Sequence, residues 1–272
     1  MPPSTLSVAI ITLNEEANLP RNLASVPFAD EIIVVDCGST DRTVEIAASF
    51  HAKVFTEPWR GFSAQKNLSV DRCTSTWVLH LDADEELTPE LQTELRNFLQ
   101  SDAETPSPTD AYRLRTRNMF LQRWIRHGGY YPDARIRLFR RHDPAAPSPI
   151  RFGERIVHES IQLSGPVGLL HADVNHYGYP TLGTYIEHMN RYSSLGSQLT
   201  FSKGKISRSW PAFFTNIFLV PLLTFVWNFV FRLGFLDGRE GLLLHLYHSA
   251  YISWKYSKAW DLARHRESKF QP

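Results

Sequence analysis

The sequence predicts an α/β fold, in which a mostly parallel sheet lies between helices and a hydrophobic helical appendage follows. Three observations lead to this prediction. Short apolar stretches alternate with helical patterns along the first part of the chain. Acidic side chains follow several of these stretches. Late in the chain, residues 211–231 contain no charged side chain.

Composition and charge narrow the class of protein. Of the 272 residues, 43% are hydrophobic and 21% are charged, which is typical of a globular protein. The 29 basic residues nearly balance the 28 acidic ones, so bulk charge gives no reason to expect a nucleic-acid partner. Cys37 and Cys73 form no disulfide framework and favour a reducing compartment. The first residues lack the basic region and the continuous apolar stretch of a signal peptide.

Four apolar stretches predict buried strands, and each is followed by a predicted helix. The strands are "LSVAIITL", "EIIVVD", "AKVFTEP" and "TWVLHLDADEE". The helices are "NEEANLPRNLASV", "RTVEIAASF", "GFSAQKNLSVDRC" and "PELQTELRNFLQ". Thr88 and Pro89 suit the N-terminus of the last helix, as cap and first residue. This alternation predicts a parallel sheet with helices on both faces.

After the proline-rich segment 105–110 the pattern changes to a mixed β region. "AYRLRTRNMFL", "RIRLFRR" and "RFGERIVHESIQL" are strand-like, because apolar and polar residues alternate along them. "LGTYIEHMNRYSSLGSQL" then predicts a helix. We expect this region to be attached to the first sheet and to close over its ligand site.

Polar side chains follow three of the predicted parallel strands. Glu15 follows the first strand, Asp36 ends the second, and Asp82 and Asp84 end the fourth. Ligands of such sheets bind at the carboxyl ends of the strands. Carboxylates at i and i+2 predict a site for Mg²⁺ or Mn²⁺, in which Asp84 binds the ion and Asp82 orients a ribose hydroxyl or a metal-bound water. A solvated turn at the strand end is the alternative interpretation.

Several motifs make the chain resemble a known enzyme family. "VAIITLNEEANLPRNLASV", "DEIIVVDCGSTDRTVEIA" and "WVLHLDADEEL" resemble the inverting family 2 glycosyltransferases, which have the GT-A fold. The later stretches "RIVHESI", "NHYGYPTLGTYIEHMNRYSSL" and "RLGFLDGREGLLL" resemble the lipopolysaccharide inner-core β-1,4-glucosyltransferase branch, which adds glucose to heptose. The resemblance implies that Asp36 and Asp82 bind the nucleotide of a UDP-sugar and that Asp84 binds the metal. It also implies that Thr12 and Glu15 line the nucleotide pocket.

An inverting transfer needs one general base for the acceptor hydroxyl. Glu159 in "VHES" is the candidate base, while His158 either serves instead or orients it; a surface turn is the alternative. His176 either completes the metal shell as a neutral imidazole or is a structural histidine. Arg135 and Arg137 project from one strand face, where they either clamp a diphosphate or anionic acceptor or are solvated.

Other classes remain open. Nucleotidyl transfer normally needs a basic, glycine-rich loop after the first strand, whereas "TLNEEANL" is acidic and has no glycine. A non-catalytic membrane-associated glycan-binding scaffold is a second alternative. Among transferases, a polyprenyl-phosphate glycosyltransferase is the alternative to transfer onto lipopolysaccharide.

The uncharged segment 211–231 predicts association with a membrane. A helix of this length rises ~1.5 Å per residue and can cross a ~30 Å hydrocarbon core. Pro221 lies in its middle, and basic residues flank both ends. Balanced basic flanks favour a bent or re-entrant helix pair at an anionic membrane surface; a buried helical hairpin is the alternative.

These patterns predict a GT-A catalytic domain over residues 1–200, with a nucleotide-binding half (1–105) and an acceptor half (106–200). Residues 201–272 are predicted to form the membrane-associating tail. We expect the enzyme to act at the cytoplasmic face of the inner (cytoplasmic) membrane, where it would meet a soluble nucleotide-sugar donor and a lipid-linked glycan acceptor.

Overall fold

The computed structural model describes residues 3–141, 151–153, 160–162 and 165–268. These residues belong to two compact units. The first unit comprises residues 1–117 and 133–176, and the second comprises residues 118–132 and 177–272.

The first unit contains the predicted parallel sheet. Its four parallel strands are β1 (Leu6–Thr12), β2 (Glu31–Asp36), β3 (Lys53–Thr56) and β4 (Trp77–Asp82). They lie in the order β3-β2-β1-β4. Thr12 pairs with Asp36, and Ile11 pairs with Asp82, so the carboxyl ends of β1, β2 and β4 meet at one edge. The predicted convergence of the strand ends is therefore confirmed.

Helices connect these strands at the predicted places. They are α1 (Leu19–Ala24), α2 (Thr43–Ser49), α3 (Phe62–Asp71) and α4 (Pro89–Glu104). The α4 helix begins as predicted, because the side chain of Thr88 accepts a hydrogen bond from the Leu91 N–H at 3.3 Å. The α1 helix is shorter than predicted. A proline is tolerated only in the first turn of a helix, so α1 begins next to Pro20. Asn14, earlier in the predicted helix, has a positive φ of 56°, which is not helical.

Antiparallel strands extend the sheet beyond β4. They are β5 (Glu85–Leu87), β6 (Ala111–Phe120), β7 (Arg123–Trp124), β8 (Asp133–Arg140) and β11 (Gly168–Tyr179). The order continues β4-β8-β6-β11-β5, and β7 pairs with β6. A separate pair consists of β9 (Arg151–Gly153) and β10 (Ser160–Gln162). The mixed β region is confirmed, whereas the sequence did not indicate β5 or β11.

Apolar side chains cover both faces of the parallel strands. Along β1, Val8 and Ile10 belong to one buried cluster and Ala9 to the other, as the two-residue repeat of a strand requires. Leu91 and Leu95 of α4 pack in the first cluster, and both are fully buried. Each such leucine contributes ~1.5–3 kcal/mol relative to an exposed one. This core fixes the strand ends that carry the polar side chains.

The second unit is mainly helical. It contains α5 (Leu182–Ser202), α6 (Trp210–Phe214), α7 (Val220–Val226) and α8 (Gly238–Ser268). Two π-helical segments, Thr215–Leu219 and Trp227–Phe231, join with α6 and α7 into one helix, Trp210–Phe231, which we call the apolar helix. Pro221 lies in the first turn of α7. The apolar helix packs against α8 through α7.

Among the described residues, the apolar helix is the one helix long and apolar enough to cross a membrane. It has 22 residues, and only 6% of its most apolar 18-residue stretch is buried. Large side chains such as Trp210, Phe214, Leu223 and Phe231 are more than half exposed. The structure therefore differs from the alternative of a buried hairpin.

Within the second unit, the segment 118–132 is fastened to the region before α8. The carboxylate of Asp237 accepts the backbone N–H of Arg126 at 3.2 Å and that of His127 at 2.8 Å. His127 Nδ1 lies 3.0 Å from the same carboxylate. A Cβ on Gly128 would stand 2.0 Å from the His245 ring, so this approach requires glycine.

Candidate active site

Thr12 and Asp36 lie together at the edge where the parallel strands end. The Thr12 hydroxyl donates a hydrogen bond of 3.0 Å to the Asp36 carboxylate. The backbone N–H groups of Gly38 and Ser39 donate to the other carboxylate oxygen at 2.9 and 2.8 Å. Asp36 is only 1% exposed, so its carboxylate orders the turn that follows β2. The two predicted nucleotide-binding residues thus form one structural element.

Glu15 lies in the turn after β1. Its backbone N–H donates to the Thr43 hydroxyl at 2.7 Å, and its carboxylate accepts from the Asn18 amide at 2.9 Å. Burial raises the pKa of Glu15, the Asn18 hydrogen bond lowers it, and the negative charge of Asp84 raises it further. Glu15 therefore belongs electrostatically to the acidic cluster, as predicted from its place in the sequence.

Two cations hold the carboxylate of Asp82. Lys66 Nζ lies 2.9 Å from one oxygen, and Arg137 donates to the other at 2.8 Å. Burial acts to raise the pKa of Asp82, but the charges of Arg137 and then Lys66 hold this pKa well below its ordinary value. Asp82 is therefore ionised at neutral pH. Lys66 lies on the helix that precedes β4, and no pattern in the sequence distinguishes it from the other polar residues of that helix.

Arg137 also joins Asp82 to Glu85. Its guanidinium contacts the Glu85 carboxylate, which accepts the backbone N–H of Asp82 at 2.9 Å through its other oxygen. Burial raises the pKa of Glu85, while Arg137 opposes this effect. His80 is fully buried 3.4 Å from Arg137, and burial followed by the charge of Lys66 holds the pKa of His80 well below its ordinary value. His80 is therefore neutral.

Asp84 and His176, the two predicted metal ligands, face each other. His176 Nε2 lies 3.3 Å from Asp84 Oδ2, and the two side chains are 24% and 26% exposed. His176 is carried by β11, where it pairs with Glu85 of β5. Burial lowers the pKa of His176, but the negative charge of Asp84 outweighs it and raises the pKa to about 9. Within the described residues no cluster of three or more His, Cys, Asp or Glu side chains is arranged to hold a metal.

The two predicted arginines have different surroundings. Arg137 is 5% exposed and contacts Asp82 and Glu85. Arg135 has a side chain that is 56% exposed, and it pairs with Asp133 at 2.8 Å. The β4–β8 ladder covers Leu138–Arg140, so Arg137 adjoins the paired part of β8 while Arg135 lies further along. Arg137 belongs to the cluster, and Arg135 has the exposed position that the alternative interpretation gave it.

The candidate bases Glu159 and His158 lie outside the described residues. The strands on either side of them are described: Gly153 of β9 pairs with Ser160 of β10. Helix α3 fastens β9, because Asn67 exchanges two hydrogen bonds with the Phe152 backbone at 3.0 and 2.9 Å. The same helix carries Lys66, so it links the acidic cluster to the strand that leads towards the "VHES" sequence.

The known proteins that this chain resembles include several glycosyltransferases. The profile of glycosyl transferase family 2 matches residues 7–158. An uncharacterised glycosyltransferase of Rickettsia typhi is 32% identical over 206 residues, which cover 74% of this chain and 69% of the relative. The lipopolysaccharide core biosynthesis glycosyltransferase LpsC of Rhizobium meliloti is 29% identical over 249 residues, which cover 88% and 83%. Some rickettsial relatives match over a shorter region; that of Rickettsia bellii is 48% identical over 35% of this chain and 33% of its own.

Solved structures resemble the chain at low identity. TarS of S. aureus (residues 1–349) is 14% identical with a TM-score of 0.44, and the alignment covers 98% of this chain and 93% of TarS. The glucosyl-3-phosphoglycerate synthase of Mycobacterium tuberculosis is 24% identical with a TM-score of 0.35 and covers 42% of this chain and 44% of the synthase. That synthase was crystallised with Mn²⁺, uridine diphosphate and phosphoglyceric acid.

Proposed function

The chain belongs to glycosyl transferase family 2 and is a glycosyltransferase with the GT-A fold, and on this premise we propose that it transfers glucose from UDP-glucose, with inversion, to a heptose of the lipopolysaccharide core. The single observation that carries the site is the convergence of Thr12, Asp36 and Asp82 at one sheet edge, with Asp84 beside His176. The name of the LpsC relative supports the choice of acceptor.

We assign the nucleotide of the donor to the edge formed by Thr12, Glu15, Asp36 and Asp82. Asp36 orders the turn after β2 by accepting the backbone N–H groups of Gly38 and Ser39, and we assign this turn to the base and ribose of the donor. Asp82 is kept ionised by Lys66 and Arg137, so it accepts hydrogen bonds from ribose hydroxyls. Lys66 and Arg137 also place positive charge at this edge, which would favour the diphosphate of the donor.

Asp84 and His176 are the residues that we propose to hold a divalent cation. Asp84 would supply a carboxylate oxygen and His176 an imidazole nitrogen, which would first have to lose its proton, because the pKa of His176 is raised to about 9 beside Asp84. Both side chains reach solvent, so a nucleotide could complete the ligand shell. Mg²⁺ or Mn²⁺ bound there would neutralise negative charge that develops on the leaving diphosphate.

We propose Glu159 as the general base that takes the proton of the acceptor hydroxyl, with His158 as the alternative. Glu159 precedes Ser160 of β10, which pairs with Gly153 of β9. The carbonyl of Gly153 accepts a hydrogen bond from Ser63 in the first turn of α3. The position of Ser160 supports a base on this side of the acidic cluster. The base would remove one proton from the acceptor hydroxyl as its oxygen attacks the anomeric carbon from the face opposite the diphosphate.

We propose that the enzyme works at the cytoplasmic face of the inner membrane on a lipid-linked acceptor. The exposed apolar side chains of the apolar helix support contact with lipid. Basic residues precede and follow this helix and would meet anionic headgroups: Lys203, Lys205, Arg208, Arg232 and Arg239. The same exposed helix would suit a polyprenyl-phosphate acceptor, which is the second candidate.

A donor and acceptor screen tests this function. The purified enzyme would be incubated with UDP-glucose, UDP-galactose, UDP-N-acetylglucosamine or GDP-mannose, with and without Mn²⁺. Each donor would be offered a heptose-containing core acceptor and, separately, undecaprenyl phosphate, with mass detection of the product. We expect a gain of one hexose on the core acceptor with UDP-glucose. A product only on the polyprenyl phosphate would replace the proposed acceptor, and no product from any pair would contradict the proposal.

A further inference from the structure

Two large aromatic side chains of the first unit remain exposed beside the sheet edge. Trp59 and Phe62 are 49% and 45% exposed. Their rings are in edge-to-face contact, with centroids 4.7 Å apart and an angle of 86° between the planes. We call this pair the aromatic platform. Exposed apolar surface that has a fixed arrangement commonly marks a binding site.

The loop that carries Trp59 is fixed by several contacts. The backbone N–H of Glu57 donates to the Asp36 carbonyl at 2.9 Å, so the loop starts beside the proposed nucleotide edge. Glu57 is held by Arg60 at 3.1 Å and by Arg72 at 3.4 Å. Gly61 turns the chain into α3 with a φ of 97°, a conformation that glycine adopts without strain. These contacts fix the chain before and after Trp59.

Helix α3 places Phe62 between two parts of the proposed reaction site. One turn further along, Lys66 binds Asp82 at 2.9 Å. The neighbouring Ser63 donates to the Gly153 carbonyl at 3.0 Å. Gly153 pairs with Ser160, the residue after the proposed base. Phe62 therefore lies at the start of the helix that links Asp82 to the strand pair β9–β10.

We propose that Trp59 and Phe62 form a stacking surface for a sugar ring of the acceptor glycan. One face of a pyranose presents C–H groups, which pack well on the electron-rich face of an aromatic ring. Such a surface orients a neutral ring without using charge, so it complements the charged side of the site around Asp82. This inference rests on the proposed function, because it names the part of the site that the acceptor occupies.

Steady-state kinetics with a delipidated, heptose-containing core oligosaccharide test the platform. We expect Trp59→Ala and Phe62→Ala each to raise the KM for this oligosaccharide about 10-fold, a loss typical of an interface aromatic. The KM for UDP-glucose should stay within about 2-fold of the wild-type value. Trp59→Phe should keep most of the acceptor affinity that Trp59→Ala loses. Leu169→Ala is the matched control, because Leu169 is 43% exposed in the same unit. An equal rise in both KM values would overturn the proposal.

A binding measurement separates this inference from the proposed function. The seven tryptophans would be labelled with 5-fluorotryptophan, and the Trp59 resonance would be assigned in the ¹⁹F spectrum from Trp59→Phe. We expect the core oligosaccharide alone to shift the Trp59 resonance and UDP alone to leave it in place. A shift with UDP and none with the glycan would make the pair a nucleotide surface, and no shift with either would also overturn the proposal. Because this readout needs no turnover, it can succeed even if the donor assignment fails.

Discussion

Arg137 donates a hydrogen bond of 2.8 Å to Asp82 while its own side chain is only 6% exposed. The same guanidinium contacts Glu85, and Lys66 holds the second oxygen of Asp82. Two cations thus face two carboxylates at the end of β4. Asp84 has a different counterpart, the imidazole of His176. Asp84 therefore has surroundings distinct from those of Asp82 and Glu85, although the three acids are close in sequence.

We expect Asp84→Asn to reduce transfer by at least about 100-fold, because it replaces a carboxylate ligand of the proposed cation with a neutral amide. Thermal stability should fall only modestly, since the ion pair with His176 is lost but both side chains reach solvent. Activity would be measured over a range of Mn²⁺ concentrations, together with Mn²⁺ binding by calorimetry in the presence of UDP. Glu86→Gln, two residues away, is the control and should retain activity. Normal turnover of Asp84→Asn at saturating Mn²⁺ would show that Asp84 is not a metal ligand.

Replacing Arg137 with methionine should destabilise the protein by about 3–5 kcal/mol, because Asp82 and Glu85 would keep buried charge without their common partner. Urea denaturation measures the change. Adding Glu85→Gln to Arg137→Met should recover part of the loss, as one of the two carboxylates is then removed. The exposed Arg135→Met is the control and should change stability by less than about 1 kcal/mol.

Asp102 should contribute stability that is lost in acid. It accepts from Trp77 Nε1 at 2.8 Å and from Arg140 at 2.7 Å. Burial acts to raise the pKa of Asp102, but the Trp77 and other hydrogen bonds lower it overall. Because folding lowers the pKa of Asp102, its carboxylate stabilises the folded protein at a pH above ~3.9, the pKa in the unfolded state. This stabilisation is lost as the pH falls through the lower pKa of the folded state. Asp102→Asn should therefore cost about 1–3 kcal/mol at pH 7 and progressively less below pH ~4.

Urea denaturation of the wild type and Asp102→Asn at several pH values measures this difference. Glu104→Gln lies on the exposed side of the same helix and serves as the control. If the difference in stability between the wild type and Asp102→Asn grew as the pH fell, the pKa of Asp102 would not be lowered by folding.

Glu159→Gln should lower kcat by ~10²-fold or more while leaving the affinity for UDP-glucose unchanged, because an amide cannot accept the acceptor proton. His158→Ala is measured in parallel. A large loss in His158→Ala with an active Glu159→Gln would assign the base to the histidine. Damaged donor binding in Glu159→Gln would indicate a structural role.

Replacing Phe218 and Leu223 of the apolar helix with glutamate should release the protein from membranes, because charge on an exposed apolar surface opposes burial in lipid. Sedimentation with vesicles of phosphatidylethanolamine and phosphatidylglycerol measures binding. Val44→Glu, on an exposed position of the first unit, is the control. A reporter fused after residue 240 should report the cytoplasm; a periplasmic signal would indicate a true crossing, and a wild type that stays in the supernatant would contradict membrane association.

Much of the GT-A fold could be predicted, because the parallel strands β1, β2 and β4 are almost entirely buried. Their apolar stretches end at turns rich in polar residues, so both the strands and the edge with Asp36 and Asp82 are visible in the sequence. The predicted sites for Thr12, Glu15, Asp84 and His176 lie at this edge as well. Their roles in binding remain predictions.

Tertiary pairing accounts for what the sequence did not indicate. The short strand β5 exists because β11 returns antiparallel to it, and three residues after an acidic turn carry no recognisable strand pattern. The alternation of apolar and basic residues along β8 predicts the same surroundings for Arg135 and Arg137. In the structure only Arg137 lies next to the residues of β8 that pair with β4. Lys66 occupies a polar helix, so its burial against Asp82 follows from packing and not from the helical pattern.

The attachment of residues 126–128 to Asp237 and His245 bears on how this protein can be shortened for crystallisation. Cutting the chain after residue 200 to remove the apolar helix would also remove the carboxylate that binds two backbone N–H groups of this segment. It would remove the imidazole against which Gly128 packs as well. A soluble form is therefore better sought by polar substitutions on the exposed side of Trp210–Phe231, which leave Asp237 and α8 in the chain.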